Sequence, residues 1–162
     1  MSDMLVKLYA MDFRFDAELA AKGIVVKRAY PGDKALVLDF VRQTFPANLS
    51  WLAECEYALN RDPVSCHIAV LDHQIVGFAC YDATAKGFFG PTGVSASHRQ
   101  LGIGRELLLR CLWSMREVGY GYAVIGWAAP DALGFYERSC GATLIPDSTP
   151  DKSVYRNMVG QG

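Results

Sequence analysis

Alternating and unbroken apolar runs divide this chain into strand-like and helix-like segments. Strand-like runs, rich in β-branched and aromatic residues, cover 23–30, 67–71, 74–81, 88–94 and 122–128. The last of these, "YAVIGWA", contains no charged residue and predicts a central strand. The opening run "MLVKLYAM" alternates weakly, so residues 1–22 are predicted to hold an edge strand or an extended arm. Two further runs near the C-terminus, "ATLIP" and "SVYRNMV", are also predicted to be strands.

Helical spacing of apolar residues predicts four helices between these strands. They cover 31–45, 51–60, 103–119 and 131–140. Ser50 is placed to cap the second helix. The apolar stripe of the third helix consists of Leu107, Leu108, Cys111, Leu112, Met115 and Val118. The order of elements predicts a mixed α/β (α+β) sheet in a single layered domain over residues 1–162.

Composition narrows the function classes without identifying one. The chain has 162 residues, 51% of them hydrophobic, and a net charge of −1, which argues against general affinity for nucleic acid or an anionic membrane. Its five cysteines are odd in number and form no C-x-x-C pair, which is typical of reduced, mostly buried thiols and not of a disulfide framework or a zinc site. No apolar run reaches 18 residues. A cytoplasmic protein with no membrane or nucleic-acid partner is therefore predicted.

Two glycines stand where the third helix has to begin, in "RQLGIGRELLLR". They form either a tight turn or a cradle in which unpaired N–H groups of a helix N-terminus bind phosphate. Glycine suits both, because it accepts positive φ and lets an anion approach the backbone without meeting a Cβ. The sequence lacks the G-x-x-x-x-G-K-[ST] loop of nucleotide hydrolases. It also lacks the third glycine of a dinucleotide-binding fingerprint, since Leu107 stands there.

Residues 99–104 do fit the pattern R/Q-x-x-G-x-G/A, and here the chain resembles the GNAT superfamily of acyl-CoA-dependent N-acyltransferases. The longer stretch "GPTGVSASHRQLGIGRELL" is similar to the strand–loop–helix core of that family. Downstream, "GFYERSCGA" is similar to its aromatic-Tyr-x-x-x-Gly element. The resemblance spans residues 24–159. It implies a mostly antiparallel sheet, flanked by helices, in which two central strands splay apart in a V.

The resemblance also implies a binding site for acetyl-CoA and no metal. Its coenzyme-binding residues would be Val94, Arg99, Gln100, Leu101, Gly102, Ile103, Gly104 and Arg105. Backbone N–H groups from Gln100 to Arg105 would hold the diphosphate, with Arg99 and Arg105 adding positive charge. The pantetheine arm would lie between the splayed strands, where a backbone group near Val94 would polarise the acyl carbonyl.

Tyr136 falls on the family's tyrosine position, which implies that it protonates the departing thiolate. The implied reaction is direct attack of a primary amine on acetyl-CoA within a ternary complex. A route through an acyl-cysteine at Cys140 is disfavoured, because the end of a helix and burial both oppose a thiolate. Relatives often carry asparagine where Ala129 stands. The alternative function is therefore an acyl-CoA-binding regulatory domain without turnover.

The acceptor is predicted only as a class, a small-molecule or peptide amine. Trp51, Glu54 and Glu56 belong to a helix that contributes to acceptor sites in the family, and an aromatic and acidic set suits a small cation. Trp51 could equally belong to the core. Asp82 and His98 are interpreted as solvated polar groups, so no general base is assigned. A homodimer formed through a sheet edge, in which the N-terminal arm takes part, is also expected.

Overall fold

The computed structural model describes residues 1–160, and within them one twisted sheet is built from seven strands. These are β1 (Ser2–Lys7), β2 (Ile24–Arg28), β3 (Cys66–Leu71), β4 (Gln74–Tyr81), β5 (Phe88–Val94), β6 (Tyr122–Ala128) and β7 (Thr143–Leu144). Their order across the sheet is β2-β3-β4-β5-β6-β1-β7. Neighbouring strands run antiparallel except β5 and β6, which are parallel. The mixed, mostly antiparallel sheet and the central position of β6 are confirmed.

In the described part of the chain, five α-helices cover the two faces of the sheet. They are α1 (Ala17–Ala21), α2 (Lys34–Thr44), α3 (Leu49–Leu59), α4 (Ile103–Glu117) and α5 (Leu133–Cys140). Helices α1, α4 and α5 contribute to one core, and α2 and α3 contribute to the other. Strand alternation decides which core a residue enters: Ala79 of β4 faces α4, whereas Phe78 and Cys80 face α2 and α3.

The N-terminal segment was wrongly predicted as an edge strand or arm. Strand β1 lies inside the sheet, since it pairs with β6 on one side and with β7 on the other. The true edges are β2 and β7. A register shift between Ser2 and Met4 accommodates a bulge in β6, where Trp127 has φ of +54°. The weak alternation of apolar residues in β1 did not reveal its inner position in the sheet. Strand β7 is short and pairs with only two residues of β1.

Three local predictions were also wrong, and one short helix was missed. The run "SVYRNMV" forms a 3-10 turn over Val154–Asn157 and no strand. Helix α1 was missed, because five residues are too few for a periodic signal. Helix α3 begins at Leu49, so Ser50 lies within its first turn and does not cap it. Val118 follows the last turn of α4 and is exposed, since Gly119, with φ of +107°, ends the helix.

Strands β5 and β6 separate after a short shared start. Phe88 pairs with Val124 and Phe89 with Ile125, and no further pairs join the two strands. Beyond these pairs, β5 follows β4 to Val94 while β6 follows β1 to Ala128. The V-shaped splay is therefore present, and it opens toward the N-terminus of α4.

Asp3 ties the two ends of the described chain together at the wide end of the splay. Its buried carboxylate accepts hydrogen bonds from the Trp127 backbone N–H (2.9 Å) and from the Ser153 hydroxyl, and its own N–H donates to Ser148 Oγ (2.9 Å). These contacts hold the bulge of β6 against the C-terminal segment. They also orient Tyr155, whose ring centroid lies 4.9 Å from that of Trp127.

Replacing Asp3 with alanine is expected to lower the free energy of unfolding by about 2 kcal/mol, because the Trp127 N–H is left without an acceptor in a partly buried position. Urea denaturation monitored by tryptophan fluorescence measures the change. Asp12→Ala is the matched control. Asp12 is exposed and pairs only with Arg14, so its removal is expected to change stability by less than about 0.5 kcal/mol. Equal effects of the two substitutions would contradict this role for Asp3.

No helix within residues 1–160 combines the length and the apolar character needed to cross a membrane.

Candidate functional site

A cavity of about 580 Å³ occupies the splay and receives residues from both faces of the sheet. It is lined by Phe45, Asn48, Trp51, Phe89, Thr92, Gly93, Val94, Arg99, Gly104, Leu108, Ala132, Phe135 and Tyr136. The α2–α3 connection and α3 contribute the first three. Helix α4 contributes Gly104 and Leu108, and α5 with the turn before it contributes Ala132, Phe135 and Tyr136. The gap between β5 and β6 thus joins the helix α4 side of the sheet to the α3 side.

The loop before α4 presents a row of backbone donors. Among the hydrogen bonds of residues 1–160, the N–H groups from Gln100 to Arg105 have no backbone or side-chain acceptor, and the first internal bond of the helix runs from Glu106 N–H to the Gly102 carbonyl (3.1 Å). These N–H groups lie at the positive end of the α4 dipole. Such a terminus binds anions, and phosphate groups above all.

The two glycines of this loop meet different requirements. Gly102 precedes α4 with φ of +89°, a left-handed conformation that glycine adopts without strain. Gly104 has ordinary helical geometry, and a Cβ there would meet nothing closer than the Val94 side chain, at 3.8 Å. The protein's own packing therefore does not require glycine at 104. Because Gly104 lines the cavity, its missing side chain leaves room for a group that approaches the helix from outside the protein.

Val94 turns its backbone polar groups into the splay. The Ser95 N–H donates to the Val76 carbonyl (2.9 Å), and hydrogen-bonded pairs alternate along an antiparallel ladder. The N–H and carbonyl of Val94 consequently face away from β4, toward the gap that β6 has left. Arg99 Nε donates to that carbonyl (3.2 Å), so the side chain of Arg99 lies at the rim of the cavity. The Val94 N–H remains aimed at the gap.

Arg105 contacts the N-terminal segment. Its guanidinium donates to the Arg14 carbonyl (3.4 Å), while the neighbouring Glu106 carboxylate accepts the Asp16 N–H (2.9 Å) and an ion pair from Arg110 (3.0 Å). Glu106 is the only carboxylate in the first turn of α4 and is 2% exposed. The Arg110 ion pair therefore offsets the negative charge of Glu106 at this helix end. A second carboxylate, that of Asp16, also lies nearby, since a Cβ at Gly102 would be 3.4 Å from its Oδ2.

Tyr136 stands on α5 with its ring against Phe89 and Phe135 (centroids 6.5 and 5.1 Å apart) and lines the cavity. Burial, with a smaller contribution from Cys140, raises the pKa of its hydroxyl to about 12. The hydroxyl is therefore a proton donor at every physiological pH. The thiol of Cys140 points back along the helix to the Tyr136 carbonyl (3.2 Å), and burial raises its pKa to about 11, which opposes a nucleophilic role.

Helix α3 presents its three predicted acceptor residues in different directions. Trp51 lines the cavity and also packs on Phe45 and Phe78, so it is both core and wall. Glu54 is half-buried, accepts a hydrogen bond from Thr84 Oγ1 (2.6 Å), and has a pKa raised by burial, but it is not among the residues that line the cavity. Glu56 is exposed on the outer face of α3 and pairs with Lys34 (3.2 Å), so the structure does not bring it to the cavity.

Asp82 was wrongly interpreted as a solvated charge. It is 6% exposed, it accepts hydrogen bonds from the Tyr120 hydroxyl (2.9 Å) and the Gly87 N–H (2.7 Å), and it pairs with Arg61 (3.3 Å). The carboxylate is thus fully engaged in fixing the β4–β5 connection. His98 forms a hydrogen bond between its Nδ1 and the Ser95 hydroxyl (2.7 Å), and it does not line the cavity.

Sequence reasoning missed the residues that come to the cavity from the α2–α3 connection. Phe45 packs over Gly93 so closely that a Cβ at Gly93 would overlap its ring. Asn48 borders the same wall. A second close approach occurs at Gly126, where a Cβ would overlap the Tyr155 hydroxyl. Glycines inside strand-like runs were the available signal, because such glycines often mark sites where another group approaches the backbone.

Comparison with known proteins adds a family and a set of related folds. A family model described as the acetyltransferase (GNAT) family matches residues 34–142. No curated protein matches the sequence.

Many solved structures share the fold, and three of them illustrate it. A glucosamine N-acetyltransferase region of a fungal multi-domain β-N-acetylglucosaminidase has a TM-score of 0.69 and 15% identity, over 89% of this chain and 19% of that one. A GCN5-related N-acetyltransferase from Sphaerobacter thermophilus has a TM-score of 0.64 and 23% identity, over 89% and 48%. An aminoglycoside N-acetyltransferase in complex with coenzyme A has a TM-score of 0.56 and 18% identity, over 72% and 86%. This chain thus spans about a fifth and about half of the first two proteins.

Proposed function

Because the chain belongs to the acetyltransferase (GNAT) family, we propose that it transfers an acetyl group from acetyl-CoA to a primary amine. The observation that carries this proposal is the loop of six unpaired N–H groups at the N-terminus of α4, placed at the mouth of the splay cavity. Aminoglycoside and glucosamine N-acetyltransferases share the fold, and both act on amines.

In this proposal the residues from Gln100 to Arg105 bind the diphosphate of acetyl-CoA through their backbone N–H groups. Gly104 supports the assignment, because its missing Cβ leaves open the space that an approaching phosphate needs. Arg99 and Arg105 add positive charge on either side, and Leu101, Gly102 and Ile103 complete the turn. Acetyl-CoA supplies a thioester, whose carbonyl becomes more negative as an amine attacks it. The Val94 N–H, aimed at the gap, would stabilise that developing charge.

The chemistry requires a neutral amine and a protonated leaving group. A lysine-like amine with a pKa near 10.4 is neutral in only about one molecule in a few thousand at pH 7, so deprotonation costs roughly 4–5 kcal/mol. Tyr136 is proposed to donate its hydroxyl proton to the departing sulfur. Its raised pKa keeps the hydroxyl protonated while the thiolate forms. Proton transfer to a thiolate with the ordinary pKa near 8.5 would be uphill, so this role also requires the apolar cavity to raise the basicity of the departing sulfur. Attack is direct in a ternary complex, since Cys140 is poorly suited to carry the acetyl group.

Trp51 and Glu54 are proposed to receive the amine on the α3 side of the cavity. Glu54 does not line the cavity itself, but it stands one helical turn after Trp51, which does. A half-buried carboxylate next to an aromatic ring attracts a cation. This favours a small cationic acceptor, whether a free molecule or the end of a peptide. Glu56 is left out of the proposed site, since Lys34 already neutralises it on the outer face.

Release of free coenzyme A thiol across a panel of amines tests the proposal. The purified chain is incubated with acetyl-CoA and mono-, di- and polyamines, amino sugars and peptides, and thiol is followed with a chromogenic disulfide. Amine-dependent release above the slow hydrolysis of acetyl-CoA is the expected result. Binding of acetyl-CoA without release for any amine would instead favour a regulatory domain, for which Ala129 in place of the family's asparagine is the motive.

Replacing Glu54 with glutamine is expected to raise the KM for a cationic amine about tenfold, through loss of a charge-assisted contact. The same change should stabilise the fold at pH 8. The folded-state pKa of Glu54 is raised, so its burial costs stability above that pKa, and the cost disappears below about pH 4, where the carboxyl is protonated in both states. Melting curves from pH 4 to 8 and amine kinetics measure both effects.

Glu56→Gln is the matched control on the same helix. Because Glu56 is exposed and paired with Lys34, the substitution is expected to leave the KM for the amine unchanged within about twofold. Equal kinetic effects of the two substitutions would remove Glu54 from the proposed acceptor site.

We further propose that the protein works as a single domain in the cytoplasm, without a nucleic-acid or membrane partner. Its five cysteines are free and buried, which suits a reducing compartment. Since β1 is paired on both sides, a homodimer formed through the sheet would have to use β2 or β7. Size-exclusion chromatography with light scattering measures the oligomeric state.

A further inference from the structure

Three cysteine side chains meet beneath α3, in the core formed by α2 and α3. Cys55 comes from α3, and Cys66 and Cys80 come from β3 and β4. Their sulfur atoms all lie within 4.8 Å of one another, and Cys80 Sγ is 3.7 Å from Cys55 Sγ. Each residue is 0% exposed. The cluster is distinct from the splay cavity, which none of the three residues lines.

The fold holds this triangle rigidly. Cys66 and Cys80 are direct cross-strand partners. The Tyr81 N–H donates to the Ser65 carbonyl (3.0 Å), so the Cys66–Cys80 pair falls at a position without mutual hydrogen bonds, where the two side chains approach most closely. Cys55 is held from above by α3, whose Ala58 and Leu59 pack in the same core. The three thiols are therefore preorganised and need no rearrangement of the backbone to act together.

The spacing suits a single atom bound by three sulfurs. Sulfur atoms at most 4.8 Å apart place the centre of their triangle within about 2.8 Å of each, and metal–thiolate bonds are about 2.3 Å long, so a small inward movement of the side chains completes three bonds. Soft, thiophilic elements are the ones that three sulfurs select.

Charge decides among these elements. The other buried members of this core are apolar: Ala29, Val37, Val41, Ala58, Leu59, Val64, Ile68 and Phe78. A net charge buried among them would be costly. Three thiolates around copper(I) carry a charge of −2, and around zinc(II) a charge of −1 with a fourth ligand missing. Three thiolates around a trivalent element form a neutral complex. The apolar core therefore favours a trivalent element, because only that complex is uncharged.

We propose that Cys55, Cys66 and Cys80 form a binding site for trivalent arsenic or antimony, taken up as the neutral oxyacid. With arsenous acid, three As–O bonds break and three As–S bonds form. Each thiol proton leaves with one hydroxide as water, and no atom is oxidised or reduced. The product is an uncharged trithiolate that links α3 to β3 and β4. Because the site is enclosed, entry requires local opening of α3.

Titration of the reduced protein with sodium arsenite, in buffer free of added thiols, tests the site. Native mass spectrometry is expected to show one bound arsenic per chain, with a mass increase of one arsenic atom less three hydrogens. X-ray absorption at the arsenic edge is expected to show three sulfur neighbours and no oxygen. The bound form should also melt at a higher temperature, since the folded site preorganises the three thiols and therefore binds arsenic more tightly than the unfolded chain does.

Substitutions separate the cluster from the other thiols. Cys55→Ala, Cys66→Ala and Cys80→Ala are each expected to weaken arsenite binding about a hundredfold, because the third bond forms within the molecule at high effective concentration. The double variant Cys111→Ala, Cys140→Ala is the matched control. Both residues are buried outside the triangle, so this variant should keep the parent's affinity. Melting curves of every variant show that the fold is retained.

Several results would overturn the proposal. They are the absence of one-to-one binding to the parent protein, oxygen remaining in the arsenic shell, or an equal loss in the control variant. Binding of copper(I) or zinc(II) in preference to arsenite would overturn the argument from charge. The X-ray absorption measurement uses the parent protein, so it stays decisive even if a variant fails to fold. None of these outcomes depends on acetyl transfer.

Discussion

Replacing Gly104 with valine is expected to weaken acetyl-CoA binding about a hundredfold, or about 2.8 kcal/mol, while the fold stays intact. The structure leaves open space at the position of the missing Cβ, beside the row of unpaired N–H groups. A branched side chain there would keep a phosphate from reaching the backbone donors. Gly104→Ala should weaken binding about tenfold, and it should stabilise the protein by up to about 1 kcal/mol through helix propensity.

Gly104→Ala is thus expected to lower the affinity for acetyl-CoA while raising the free energy of unfolding, and a general loss of structure would not do both. Isothermal titration calorimetry with acetyl-CoA measures the affinity, and urea denaturation measures the free energy of unfolding. Gly134→Ala is the control, since Gly134 is also a helical glycine, on α5. A Cβ there would meet only the flexible end of Arg138 at 2.9 Å, and Gly134 does not line the cavity. It should leave the affinity unchanged. A Gly104→Val protein that binds acetyl-CoA within about threefold of the parent would contradict the diphosphate assignment.

Tyr136→Phe is expected to reduce kcat about a hundredfold with little change in the KM for acetyl-CoA. The phenylalanine ring keeps the contacts with Phe89 and Phe135, so the wall of the cavity is preserved and only the proton donor is lost. Because the pKa of Tyr136 is raised to about 12, its hydroxyl should cause no fall in the rate of the parent below about pH 11. Steady-state kinetics from pH 6 to 10, with an amine that the parent acetylates, measure the kcat and KM of the variant and the pH dependence of the parent.

Tyr122→Phe serves as the control for this substitution. Tyr122 lies at the far end of β6 and is 52% exposed, where its ring packs against Tyr9. The kcat of the Tyr122→Phe enzyme is expected to match that of the parent. A Tyr136→Phe enzyme that turns over within about threefold of the parent would remove the assigned acid role. It would leave the coenzyme site untouched, since that site depends on α4 and not on α5.

Long amphipathic and unbroken apolar runs were recognised from the sequence because their burial is periodic. The stripe from Leu107 to Met115 and the run of β6 both lie where predicted. Gly90 and Pro91 interrupt the run of β5 in the sequence, and the register of β4 against β5 shifts beside them, between Ala79 and Tyr81. Such features depend on neighbours a few residues apart, which a sequence displays directly.

Elements whose structure depends on distant partners were predicted incorrectly, and for a physical reason. Strand β1 alternates only weakly, and its place between β6 and β7 depends on segments more than a hundred residues away. The run "SVYRNMV" has the residue types of a strand, yet Ser153 is held by Asp3 and the chain curls into a turn that buries Tyr155. Long-range contacts override local propensity in both cases.

The candidate site likewise combines features that the sequence displays locally with features that depend on long-range contacts. Gly102, Gly104 and the row from Arg99 to Arg105 could be found from the sequence, since a phosphate cradle is built from consecutive residues. The sequence alone also placed Tyr136 on the helix that follows β6. Whether these features face one another was not readable, because no local pattern records the angle at which two strands part.

By itself, the sequence determined the strand-loop-helix with its exposed donors, the identity of α4 and β6, and the free thiols, because each depends on residues that are near one another along the chain. Only the tertiary structure decided that Trp51 lines the cavity while Glu56 pairs with Lys34 outside it, that Asp82 is buried, and that Cys55, Cys66 and Cys80 meet. Each of these depends on which faces of distant segments pack together, and that choice is made by burial over the whole chain.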